Sequence, residues 1–274
     1  MEFYPSYGQY EEHHYSRQDF PLLFHYDLYT DPNERYLHWH ENLEFLLILT
    51  GSCRVQCGLD ERIAHVGDIV VVNPNELHAV RNETEQSKLC CLIISPEFVG
   101  YDSPGFSQNE RFFENLVRDD ELRVLFEKIM AEMDAALPFY EQSVKGMIIT
   151  LLAGLCRRHV AAHLPETDPA KPQKIPLVKA ALQYIQNNYF NDFSVDELCA
   201  HIGYSKYYFC RTFKEATGKT MVEYVNYLRC KKARGLLQKG YSVTETSSLV
   251  GFQNLSYFNK VYKSIMGHSP SKDK

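Results

Sequence analysis

Between Pro21 and Ser95 apolar residues come in short runs, Leu43–Leu49, Ile69–Val72 and Leu89–Ile94, broken by Gly, Asn, Pro and Asp. Short strands at this spacing predict a closed β-barrel or jelly roll. From about Glu110 the period turns helical. Leu122, Leu125, Phe126, Ile129, Met130 and Met133 form one stripe, and Val144, Met147, Ile148, Leu151, Leu152 and Leu155 form a second. At least one stripe is expected to pack within the chain. The stripe of 140–160 is the one expected to make a dimer contact. Residues 164–174, LPETDPAKPQK, carry three prolines and no apolar period, which reads as a linker. Everything beyond reads as helix. The first twenty residues, rich in Tyr, His, Glu and Ser, have no period and are expected to form a mobile arm.

The pattern predicts a two-domain protein, α+β followed by all-α. Its parts are an arm (1–20), a barrel with trailing helices (21–163), a proline-containing linker (164–175) and a helical domain (176–274). Composition changes this picture little: 45% hydrophobic and 23% charged residues suffice for a core and exclude a disordered chain. Charge changes it more. The net of −6 does not announce a nucleic-acid binder. From residue 171 onward, however, sixteen Lys and Arg face seven Asp and Glu, a net of +9, while residues 1–170 carry −15. An acidic body joined to a basic tail points to a polyanionic partner.

Met1-Glu2-Phe3-Tyr4-Pro5 has neither the cationic nor the apolar part of a secretory signal. No uninterrupted apolar stretch reaches the roughly 18 residues of a membrane span. The eight cysteines lack zinc-finger spacing and read as small buried hydrophobes in a reducing compartment. A cytoplasmic location, with no membrane partner, is therefore expected.

The basic half contains a repeat. SVDELCAHIGYSKYYFCRTFKEATGKTM (194–221) aligns with SVTETSSLVGFQNLSYFNKVYKSIMGHSP (242–270) at an offset of 48, then 49 after one inserted residue. Each copy opens on Ser-x-x-Glu, the signature of a capping box (Ser194/Glu197, Ser242/Glu245). Each first helix is expected to stop at a left-handed glycine, Gly203 or Gly251. A second cap, Ser205 or Asn254, then starts an aromatic and cationic helix. Helix, glycine turn, helix is the helix-turn-helix pattern, here at 194–217 and 242–266, and its second helix enters the major groove. Thr220–Lys239 reads as one connecting helix of about 28 Å at 1.5 Å per residue. That is near the roughly 34 Å between successive major-groove faces of duplex DNA.

The tail from about 176 to 270 resembles the DNA-binding domain of AraC/XylS-type transcription regulators. The resemblance is strongest in Gly251-Phe252-x-Asn254-x-Ser256-Tyr257-Phe258-x-Lys260 through Gly267-x-Ser269-Pro270. Phe209-x-Arg211-x-Phe213-Lys214 carries it in the first copy. Thr246-Ser247 departs from the usual Ile-Ala pair, and Met221 from the usual Pro or Phe. The resemblance implies base-reading roles for Lys206, Tyr207, Cys210 and Arg211, and for Asn254, Ser256, Asn259 and Lys260. Arg or Lys pairs with guanine and Asn with adenine. The alternative for each is a phosphate contact. Phe209, Phe213, Phe258 and Tyr262 read as core.

In the acidic half, His38-x-His40-x-x-x-Glu44 places three groups of one parity along a strand. Gly67-Asp68, Asn73-Pro74-Asn75-Glu76-Leu77-His78 and Asn82 follow. This resembles the two cupin motifs, and His38, His40, Glu44 and His78 fall at the family's metal-ligand positions. Imidazole and carboxylate suit a divalent metal. The competing reading is a polar pocket that hydrogen-bonds an organic effector, with no cofactor required. Sugar-type effectors are what the resemblance implies. Trp39 with neighbouring tyrosines could supply a stacking face, though its parity points it away from the two histidines. His25 and His65 either line the barrel or are structural.

Two functions compete. One is a regulator, acting as a homodimer, whose barrel binds a small molecule and changes how the helix-turn-helix units sit on double-stranded DNA. The other is a metal-dependent cupin enzyme with an accessory DNA-binding tail. The complete repeat and its charge favour the regulator. Arg211→Ala is expected to weaken binding to the correct operator by about 1–3 kcal/mol and to relax one base preference. Titration against operator variants checks this; an equal loss on every sequence identifies a phosphate contact instead.

Overall fold

A computed structural model describes residues 10–17, 19–30, 37–98, 113–161 and 174–273. They fall into two compact units, divided near residue 171. The first nine residues of the expected arm, and most of the proline-containing linker, lie outside the described residues.

The first unit consists of two antiparallel sheets and two helices. The strands are β1 (Leu22–Tyr29), β2 (Leu43–Thr50), β3 (Ser52–Cys57), β4 (Asp60–His65), β5 (Ile69–Val72), β6 (His78–Asn82), β7 (Ser87–Ile94) and β8 (Leu116–Val117). One sheet has the order β1-β7-β2-β5-β8 and the other β4-β3-β6. Helices α1 (Asp120–Ala135) and α2 (Tyr140–Arg158) follow.

The central strands read as continuous apolar runs because the five-stranded sheet is covered on both faces. Leu46, Ile48, Val70, Val72, Leu89, Cys91 and Ile93 point inward and meet Cys53, Val55, Cys57 and Ala64 of the smaller sheet. The alternate residues, Phe45, Leu47, Ile69, Val71, Cys90, Leu92 and Ile94, pack beneath α1 and α2. By contrast β4, at the edge of the smaller sheet, buries only Ala64 and is otherwise exposed, with three charged side chains. Charged residues on an edge discourage further strand pairing.

Both helical stripes are consumed in this packing. Leu122, Phe126 and Ile129 of α1 and Val144, Ile148, Leu151, Leu152 and Leu155 of α2 are all buried against the sheet. The 140–160 stripe is therefore intrachain core, which corrects its assignment to a dimer contact. The helices approach closely at Gly154, where an added Cβ would lie 2.5 Å from Leu122 Cδ2. Among the described residues that follow the change of period, helix begins at Asp120. Asp119 caps it, its Oδ1 accepting from the Glu121 and Leu122 amides.

The second unit is all helix: α3 (Lys174–Asn188), α4 (Val195–Ile202), α5 (Lys206–Thr217), α6 (Met221–Gln238), α7 (Val243–Leu249) and α8 (Leu255–Met266). Phe209, Phe213, Phe258 and Tyr262 are core, as expected. The full capping box forms at Ser194/Glu197, and another at Thr220/Glu223 starts α6. In the second copy Ser242 Oγ accepts from the Glu245 amide, the forward half of the box. Gly203 is the left-handed C-cap of α4. Its counterpart is displaced: α7 is capped by Val250, and Gly251 follows at φ +90°. A Cβ there would lie 2.6 Å from the Phe190 carbonyl oxygen, so only glycine fits.

Among the described residues no helix is long and apolar enough to cross a membrane. All eight cysteines are free thiols, and Cys210 is exposed. Phe126, fully buried where α1 meets the sheet beside Phe45, is the test of how that layer is held. Phe126→Ala is expected to destabilise the first unit by about 3–5 kcal/mol, read as a lower denaturation midpoint.

Candidate ligand site and nucleic-acid interface

The structure brings His38, His40, Glu44 and His78 together at one end of the inter-sheet space. One ligand atom from each lies within 4.8 Å of the others. The backbone route differs from one continuous strand. His38 is paired with His78 across an isolated antiparallel bridge, the chain bends at Glu41–Asn42, and β2 starts only at Leu43. His40 and Glu44 thus approach from either side of a bend, and His78 enters as the first residue of β6.

Hydrogen bonding fixes the imidazoles. A carbonyl oxygen only accepts, so His40 Nδ1 donates to the Asn42 carbonyl at 3.1 Å and His78 Nδ1 to the Glu76 carbonyl at 2.8 Å. Both Nε2 atoms then face Glu44. His40 Nε2 is 3.2 Å from Glu44 Oε2. His78 Nε2, itself buried, lies 3.1 Å from the same oxygen in ion-pair contact. Glu44 Oε1 accepts from the Cys91 thiol at 3.1 Å.

The charges follow from this crowding. Burial alone would raise the Glu44 pKa, but the two imidazoles hold its carboxyl well below the usual range. Burial lowers His40 further than Glu44 raises it. For His78 the balance reverses: burial pulls it down, but the Glu44 carboxylate beside it wins and the net shift is upward. Glu44 and His78 thus shift in opposite directions, each favoured in its charged form by the other.

Glu11, His13, Tyr15 and Asn42, which the sequence pattern did not single out, complete the mouth. Glu11 Oε2 lies 3.1 Å from His38 Nε2, and the Glu11 amide donates to the Trp39 carbonyl. The His13 ring packs 4.7 Å from that of His40, and Asn42 bridges His13 and the Tyr15 hydroxyl. A segment with no hydrophobic period offered no signal for these contacts, because they are polar and depend on where the chain returns. Trp39 is 8% exposed, so its ring is not an open stacking platform for a sugar. His25 does line the space between the sheets, near its exposed rim, whereas His65 ends the edge strand β4 and is exposed.

In the second unit the eight proposed base readers all lie on the exposed side of α5 and α8. Lys206, Tyr207, Cys210 and Arg211 occupy successive turns of one face, with Phe209 and Phe213 buried behind them. Lys206 is paired with Asp196 of α4 at 2.9 Å. Ser256, Asn259 and Lys260 repeat the arrangement on α8. Asn254 differs. It is the N-cap, its Oδ1 accepting from the Tyr257 amide, so its amide oxygen is already engaged. Arg229 fixes the frame between the copies: its guanidinium donates to the Tyr189 and Asn191 carbonyls and lies over the Phe252 ring.

A double-sheet unit with a buried polar cluster, and a separate basic unit with two helix-turn-helix pairs, define a ligand-responsive DNA-binding regulator. Residues 23–152 match the AraC-like ligand binding domain family, and residues 198–274 match a helix-turn-helix domain family. The uncharacterized HTH-type transcriptional regulator YdeC of Bacillus subtilis (strain 168) is 28% identical over 253 residues, 85% of this chain and 84% of its own. The uncharacterized HTH-type transcriptional regulator in the cgkA 5'region of Pseudoalteromonas carrageenovora is 36% identical over 113 residues, 40% of this chain and 68% of its own. Among solved structures, unsaturated fatty acid bound ToxT from Vibrio cholerae strain SCE256 has a TM-score of 0.45 at 15% identity, covering 92% of this chain and 94% of that one. The chain belongs to the AraC-type family of helix-turn-helix transcription regulators. The relatives are named as regulators, and the enzyme alternative is set aside.

The dual position of Asn254 separates capping from recognition. Asn254→Ser keeps a capping oxygen and is expected to hold stability within a few tenths of a kcal/mol, while Asn254→Ala costs about 1 kcal/mol. If the amide nitrogen also reads DNA, both variants lose affinity equally; thermal melting and operator titration in parallel distinguish the two roles.

Proposed function

We propose that the cluster of His38, His40, Glu44 and His78 binds a divalent metal ion, and that its occupancy, together with a small-molecule effector at the barrel mouth, sets how the helix-turn-helix units engage DNA. The observation that carries this reading is the convergence of four ligand atoms, one each from His38, His40, Glu44 and His78, within 4.8 Å of one another, with the Nε2 atoms of His40 and His78 both turned to one carboxylate oxygen. Both Nδ1 atoms are turned to backbone carbonyls, the outer contacts that orient metal-binding imidazoles. The residues therefore fit a metal of the zinc, iron, nickel or manganese class. Bound, such an ion supplies a fixed positive charge and a Lewis-acidic position for an oxygen donor on the effector. The chain's own residues orient the imidazoles, exclude water from Glu44 and close the mouth.

Coupling to the arm rests on Glu11. Because its carboxylate meets His38, occupancy of the cluster and docking of residues 10–17 share one contact and bias each other. In the second unit, Lys206, Tyr207, Cys210, Arg211, Ser256, Asn259 and Lys260 are assigned to base or phosphate contact. Asn254 is assigned first to capping. We place the protein in the cytoplasm as a homodimer; with the α2 stripe buried, exposed Leu137, Phe139 and Ile149 of the α1–α2 hairpin offer one apolar surface for self-association.

Metal analysis of tag-free protein tests the reading. His78→Ala is expected to lose one equivalent of metal per chain relative to the parent and to blunt the effect of chelator on operator binding. A parent protein without stoichiometric metal removes the metal and leaves the organic effector alone.

A further inference from the structure

A second group of ligating side chains lies beside the first, on the sheet surface next to Glu44. His25 stands opposite Cys91 in the β1–β7 ladder, and Asp27 follows two residues along the same face. One ligand atom from each lies within 4.8 Å of the others. His25 Nε2 is 3.3 Å from Asp27 Oδ2. The pleat produces this grouping: cross-strand and i,i+2 neighbours on one face are the closest pairs a sheet offers. Cys91 forms a buried floor, while the His25 and Asp27 side chains are 47% and 36% exposed and open a path from solvent.

The two groups meet through one carboxylate. Glu44 Oε2 faces His40 and His78, and Glu44 Oε1 accepts from the Cys91 thiol. We infer that His25, Asp27 and Cys91 form a second divalent-cation site, adjacent to the first and joined to it through Glu44. The donors are one imidazole nitrogen, one carboxylate oxygen and one sulfur, a set suited to zinc and to cobalt(II) as its probe. Binding is a substitution without redox change: the Cys91 S–H bond breaks, a metal–sulfur bond forms, and the proton leaves to solvent. Glu44 Oε1 thereby loses its hydrogen-bond donor, so filling this site alters the charge balance of the other. Three protein donors leave coordination room toward the exposed rim, where a small oxygen- or nitrogen-donor molecule could complete the shell.

Cobalt(II) titration of the metal-stripped, tag-free full chain, followed by absorption, tests the inference. Two equivalents are expected, with a near-ultraviolet thiolate-to-cobalt charge-transfer band. Cys91→Ser is expected to lose that band and one equivalent. His78→Ala is expected to lose one equivalent and keep the band. His25→Ala, at the exposed rim where folding is least at risk, should weaken the band-forming event on the order of tenfold or more. Absence of the band in the parent, or its persistence in Cys91→Ser, overturns the site. The two readings fail separately: a single band-bearing equivalent that survives His78→Ala sustains this site and removes the first. A single bandless equivalent lost in His78→Ala does the reverse.

Discussion

An ionised carboxylate taken out of water must be matched by positive charge at short range, and Glu44 imposes that demand on the first unit. Its neighbours in the inter-sheet space, Leu46, Ile48 and Ile93, offer no compensation. Desolvating such a charge without a partner costs several kcal/mol, and His40 and His78 are placed where they offset it. Much of the local backbone serves this placement. The bend at Glu41–Asn42 turns His40 back toward Glu44 and supplies the carbonyl that fixes its ring, and the bridge between His38 and His78 holds two imidazoles within 4.0 Å of each other, centroid to centroid. His40 Nε2 and His78 Nε2 stand 3.2 Å and 3.1 Å from the same Glu44 oxygen, so the carboxylate is matched from two sides.

The apolar core is organised around the same sheet by parity. Residues one apart in β2 belong to different cores: Leu46 and Ile48 to the inter-sheet space, Phe45 and Leu47 to the layer under α1 and α2. This explains why strand runs, helical stripes and the change of period were legible in the chain. Each is a one-dimensional record of which face meets which neighbour. The fate of the second stripe was less so. An apolar face at Val144, Ile148 and Leu151 has the same spacing whether it covers a sheet of its own chain or a helix of another, and only the packing at Phe126 and Gly154 decides.

The repeat in the second unit was legible for a different reason, since caps and glycines are local chemistry. Where the copies differ, the cause is tertiary. Gly203 needs its positive φ to end α4, and a Cβ there would meet nothing within 4 Å; Gly251 needs its own because the Phe190 carbonyl occupies the place of a Cβ. Thr246 and Ser247, in place of an apolar pair, are buried in α7. Ser247 donates back to the Thr244 carbonyl, while Thr246 Oγ1 has no hydrogen-bond partner. The second unit thus holds a buried hydroxyl whose desolvation is not offset, of a kind costing about 1–3 kcal/mol. Its counterpart in the first copy, Leu198 with Cys199, is apolar.

Polar closure of the barrel mouth was the least legible part. Glu11, His13 and Tyr15 reach the cluster from a segment whose sequence carries no period, through contacts that exist only once His38 and Asn42 are in place. Linkage makes the consequence quantitative: a ligand shifts the arm only by the difference in its affinity for the docked and undocked states, and docking changes ligand affinity by the same factor. A cation at His38, as proposed above, would face Glu11, so its charge would enter that difference at short range, where screening is weakest. An organic molecule held elsewhere in the mouth would have to act through shape, by displacing residues 10–17. The sign of the arm's response to occupancy, tighter with a cation and looser with a bulky effector, therefore reports which chemistry the barrel reads.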